Sequence, residues 1–117
     1  MTAPNIVDVT TITGKTAVQA VGTSATAIVT NSAASGKVFK VNALYVSNVD
    51  GTSNAEINVD VFRSSTAYHI GKTIVVPADA TLDVISKAIY LEEGDALRLT
   101  ANAASDLEAV CSYEEIS

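Results

Sequence analysis

One cysteine, one histidine and no tryptophan occur among the 117 residues. A lone cysteine excludes an intramolecular disulfide. Cys111 and His69 together fall short of the about four ligands that a structural zinc site takes. Basic residues are scarce as well: seven Lys and Arg stand against thirteen Asp and Glu, for a net charge of −6. They nowhere cluster, and phosphate recognition needs a basic patch, so neither nucleic acid nor an anionic membrane surface is expected as a partner. No apolar run approaches the ~20 residues of a spanning helix. The opening MTAPNIVDVT has neither a basic region nor an apolar stretch after it, so no secretory signal is expected. Charged residues make up 17% of the chain against a usual share of about 25%. With 48% hydrophobic residues, the chain is not of the polar, highly charged kind that stays disordered.

What is present is Val, Ile and Thr, which are stiff at χ1 and suit a pleated sheet. In Ala55–Arg63, Ile57, Val59 and Val61 alternate with Glu56, Asn58 and Asp60, the period of a half-buried strand. In Asp106–Tyr113, Leu107, Ala109, Cys111 and Tyr113 oppose Glu108, Val110 and Ser112. Lys37–Asn48 carries Phe39, Val41, Ala43 and Tyr45 on one face, then Leu44 and Val46 on the other. That break in phase predicts a central strand, a bulge or a subunit contact. Further strands are expected at Ile6–Ile12, Thr16–Val21, Ala25–Thr30, Tyr68–Val76 and Ala96–Ala101, with Thr81–Leu91 interrupted near Ser86–Lys87. Turn residues separate them at Thr13-Gly14-Lys15, Ser35-Gly36, Asp50-Gly51, Pro77-Ala78-Asp79 and Glu93-Gly94-Asp95. The reading is all-β: an antiparallel β-sandwich, jelly-roll-like, of eight or nine short strands. Residues 1–117 form one domain, in which 1–36, poor in bulky side chains, is an N-terminal arm or an edge hairpin.

The chemistry-bearing residues do not assemble into a motif. His69 reads as a solvated strand residue and Cys111 as a small buried hydrophobe. Asp50-Gly51-Thr52-Ser53-Asn54 and Glu92-Glu93-Gly94-Asp95 put oxygen ligands beside a glycine, as a calcium loop does. Neither has EF-hand spacing, and both fit turns in which Asp and Asn bond their own backbone. A glycosidase needs two carboxylates across an aromatic cleft. The aromatics here are only Phe39, Tyr45, Phe62, Tyr68, Tyr90 and Tyr113, and Glu114-Glu115 reads as a solvated strand end. No catalytic, cofactor-binding or metal-binding residue is therefore assigned, and no enzyme is expected.

Three blocks, Val76-Pro77-Ala78-Asp79-Ala80-Thr81-Leu82, Ile89-Tyr90-Leu91-Glu92-Glu93-Gly94-Asp95-Ala96-Leu97 and Cys111-Ser112-Tyr113-Glu114-Glu115-Ile116, resemble a pattern of small virion structural proteins of tailed bacteriophages, cyanophage examples above all. The resemblance covers Lys37 to the C-terminus and, more loosely, the N-terminal third. It implies a capsid decoration (cement) protein located in the virion, with the major capsid protein or another virion protein as partner. It also implies a homo-oligomer, with a trimer as the first expectation. A neck, tail, baseplate or fibre component is the alternative. A carbohydrate-binding sandwich is another, with Tyr68-His69 and Asp50–Asn54 as its candidate residues. A mean hydropathy of +0.30 is high for a small monomer and predicts apolar surface buried at subunit contacts.

Overall fold

A computed structural model describes Asn5 and residues 7–117. Its strands are β1 (Ile12–Ala20), β2 (Thr26–Thr30), β3 (Val38–Asn48), β4 (Ala55–Arg63), β5 (Thr66–Val76), β6 (Thr81–Asp83), β7 (Ile89–Leu91), β8 (Ala96–Ala101) and β9 (Leu107–Ile116). Among the described residues there is no helix, and so none long and apolar enough to cross a membrane.

Two antiparallel sheets form the sandwich. Sheet A has the order β1-β9-β3-β6, with β7 also on β3; sheet B has the order β2-β8-β4-β5. The short strands β6 and β7 pair with the two ends of β3, at Tyr45–Ser47 and Phe39–Val41. They are the halves of one strand, broken where expected, and the Val84 amide bridges the break by donating to the Leu44 carbonyl at 2.9 Å. Counted as one strand, they leave β4–β5 as the only consecutive strands in one sheet among the described residues, and every other connection crosses between the sheets.

Alternation builds the core as read. Ile57 and Val59 of β4, Leu97 and Leu99 of β8, and Leu107, Ala109 and Cys111 of β9 are buried between the sheets. Burying each large aliphatic side chain contributes about 1.5–3 kcal/mol. The phase break in β3 is a bulge: its register against β9 shifts between Val41 and Ala43. Phe39 and Val41 before the bulge and Leu44 and Val46 after it therefore all face inward, and Tyr45 is turned out.

The N-terminal third differs from expectation in two places. The strand predicted at Ile6–Ile12 is present only at its last residue: Ile6 lies outside the described residues, and residues 7–11 are turn, bend or irregular, not strand. The strand begins at Ile12, because the end of β9 fixes its start. The Thr10 and Thr11 amides both donate to the Ser117 carbonyl. The turn predicted at Thr13-Gly14-Lys15 is also overturned, since Gly14 sits inside β1 opposite Glu114. Nine consecutive pairs with β9, without a register shift, outweigh the local preference of one glycine. β1 edges sheet A and β2 edges sheet B. Val21, Val29 and Asn31 of this third are buried.

Two asparagines fasten the loops to the sandwich. The Asn31 side-chain amide donates to the carbonyls of Lys37 (2.9 Å) and Leu91 (3.0 Å). That of Asn48 donates to Ser53 and Val76, both at 2.9 Å. Each is a buried polar group with its donors satisfied, the condition for burying an amide without penalty.

Candidate interaction surfaces

The residues singled out for chemistry lie apart. Cys111 is fully buried, and burial pushes its thiol up to about 11. His69 is exposed on β5 directly opposite Asp60 of β4. Asp60 is already taken, for Arg98 on the neighbouring strand donates from Nε at 2.9 Å and lays its guanidinium 3.9 Å over the Phe62 ring. In the 50–54 loop, Asp50 Oδ1 accepts from the Thr52 amide (2.9 Å) and hydroxyl (2.8 Å). The amide first, then the hydroxyl, holds that carboxyl below its usual range. The loop carboxylate thus serves its own turn, and no group of three or more metal-ligating side chains occurs among the described residues.

The acidic corner at 92–95 is a clamp. Asp95 is buried, and Arg63 Nε reaches its Oδ1 at 2.7 Å while Nη2 reaches Oδ2 at 2.5 Å. The Glu92 amide donates to the same Oδ2 at 2.8 Å. Burial alone pushes this carboxyl upward; the Arg63 guanidinium and the Glu92 amide outweigh it and hold the group below its ordinary value. Glu115, expected as a solvated strand end, is instead mostly covered and accepts both Lys15 and Lys37 at 3.1 Å. Burial again opposes and the two ammonium groups prevail, so this carboxyl is lowered. Lys15 and Lys37 stand far away in sequence, so nothing near Glu115 marks the pairing.

Exposed apolar side chains collect in two places. On the outer face of sheet A, Val18 of β1 is opposite Val110 of β9, which is opposite Tyr45 of β3. The three are 74%, 40% and 45% exposed and make one continuous row across three strands. A hollow of about 300 Å³ opens beside it, lined by Val18, Ala20, Glu108 and Val110 among others. The second place is the side where β5 and β7 are the free edges. There Val61, Arg63, Tyr68, Ile70, Ile89 and Tyr90 line a cleft of about 360 Å³. Tyr68 and His69 do not act together, because adjacent strand residues face opposite ways. The 50–54 loop precedes β4, whereas the cleft takes Val61 and Arg63 from the far end of that strand. Sequence reading missed the outer row, although one signal was present: Val110 is a hydrophobe on the otherwise polar face of its strand.

No protein family matches the sequence, and no curated protein matches it. Among solved structures, the chain is similar to a protein of the Bacillus endospore appendages, described as a novel family of disulfide-linked pili. The TM-score is 0.53 at 14% identity, over 90% of this chain and 85% of that one. At that identity the likeness bears on the fold alone. Two structures of a pentameric capsid protein from metagenomic phage sequences also match, at TM-score 0.43 and 19% identity. They cover 85% of this chain and 59% and 60% of theirs, too distant to carry an argument.

Proposed function

We propose that the chain is a non-enzymatic structural protein of a virion, a capsid decoration protein that binds the outer shell and stabilises it through subunit contacts. The observation that carries this reading is the row Val18–Val110–Tyr45 on the outer face of sheet A. A rigid sandwich with an apolar stripe on one broad face is built to be covered by another protein. The resemblance of residues 76–82, 89–97 and 111–116 to tailed-phage virion proteins supports the same reading. The major capsid protein is the proposed partner, with a homotrimer at local threefold positions. No disulfide is proposed between subunits, because the sole cysteine lies in the core.

Copy number tests the assignment. Quantitative mass spectrometry of purified virions should find copies in proportion to the capsid subunits. A count of a dozen or fewer would make the protein a neck, tail, baseplate or fibre component instead. A second reading, a carbohydrate-binding module, is favoured by the β5–β7 cleft, whose lining includes Tyr68, Tyr90 and Arg63. Specific binding on a glycan array, lost in Tyr68→Ala, would support it.

A further inference from the structure

Natural sandwiches guard the free edges of their sheets with short strands, bulges or charge, since an open edge is a template for another strand. Three edges here carry such devices. β2 has five residues and a register shift between Ala27 and Val29. The β4–β5 ladder shifts register twice, and β5 carries Lys72. β6 and β7 have three residues each. β1 has none of this protection: nine residues in unbroken register, paired only with β9 among the described residues. Its one charge, Lys15, is held by Glu115 of the same chain. On a chain of net charge −6, this edge bears no acidic residue, so a second copy can approach here without facing a carboxylate on the edge itself.

Gly14 says what approaches. A glycine inside a strand weakens it and marks a bulge, a bend or a close approach by another backbone. Gly14 has neither bulge nor left-handed φ, and a Cβ there would meet nothing of its own chain within 4 Å. Nothing among the described residues of its own chain requires a glycine there. Antiparallel pairing of the whole of β1 with the β1 of a second copy puts Thr16 on the two-fold axis. That register sets Val18 of each copy opposite Gly14 of the other, on the same outer face. Lys15 then meets Ala17, whereas the register one step away would set Lys15 against Lys15, and opposed like charges destabilise a ladder.

We propose that β1 joins two copies of this chain edge to edge about a two-fold axis through Thr16, fusing their A sheets into one. The contact is isologous and goes beyond the virion assignment. It holds equally for a free protein or for a threefold oligomer, whose units it would link.

Register-specific cross-linking of the full chain tests it. Thr16→Cys should give covalent dimers on mild oxidation, read on a denaturing gel. Gly14→Cys and Val18→Cys should cross-link when mixed and neither should do so alone. Wild type is the control, since its Cys111 is buried. The absence of covalent dimers from Thr16→Cys and from the mixture, in variants whose melting shows them folded, overturns the proposal. Self-linking of Val18→Cys that matches Thr16→Cys overturns the register and with it the two-fold pairing.

Discussion

Arg63 and Asp95 are joined through both carboxylate oxygens, and this pair fixes the end of β4 to the corner that leads into β8. The guanidinium is about half exposed and the carboxylate buried. The acid therefore depends on the pair far more than the base does.

Asp95→Ala should destabilise the fold by about 1–3 kcal/mol, the range for leaving polar partners of a buried charged group unmade. Chemical denaturation measures it. Arg63→Ala strands the buried carboxylate and should cost more than Asp95→Ala.

Acid should weaken the protein through the same group. The folded Asp95 carboxyl lies below its ordinary 3.8, and Glu115 below its ordinary 4.5. For groups lowered by folding, the stabilisation is present above the ordinary value and is lost as pH falls through the folded value. Melting temperature should thus drop on acidification from about those ordinary values downward. Asp95→Asn should flatten that dependence; an unchanged slope would count against the linkage.

Gly94 has φ near +91° in the corner between β7 and β8. A Cβ there meets nothing within 4 Å, so its substitution strains the backbone alone. Gly94→Ala should cost about 1 kcal/mol or more, seen as a melting point lower by a few degrees. Gly14→Ala, in open space with an ordinary φ, should leave monomer stability nearly unchanged.

Asn31→Ala should cost about 2 kcal/mol or more, because the Lys37 and Leu91 carbonyls both lose their donor. Asn31→Asp offers an anion to those carbonyls and should be worse at neutral pH than at pH values that protonate it. Equal stability of the two variants across pH would contradict this account.

Cys111 should be inert to thiol reagents in the native protein and react fully in denaturant, since it is buried and its thiol is raised to about 11. Labelling that matches the denatured rate under native conditions would place it at the surface.

Much of the sandwich is legible because alternation is a local signal. Ile57, Val59 and Val61 declare β4, and the interruption of Thr81–Leu91 is visible in Ser86-Lys87. What fails is what depends on a partner strand. Gly14 resembles a turn until β9 lies beside it, and the strand placed from Ile6 begins at Ile12 because Ile116 is the first partner of its ladder. The β3 bulge is visible only as a broken phase, which three different structures could explain. Arg63–Asp95 and Glu115–Lys37 join residues distant in the chain, and Asn31 sits in a stretch of Ser, Ala, Thr and Asn that advertises nothing.

The position of β9 between β1 and β3 also orders events in time. Sheet A has no ladder joining its first strand to the rest until Leu107–Ile116 is made, and β2 of sheet B waits likewise for β8. Such pairings between distant segments fold slowly, because loop closure precedes any gain from contact. In order of synthesis the β4–β5 hairpin and the β3 contacts with β6 and β7 can form first, then the β8 ladders with β4 and β2. A chain cut short before Leu107 leaves β1 detached, so association through that strand is reserved for chains whose synthesis has passed β9.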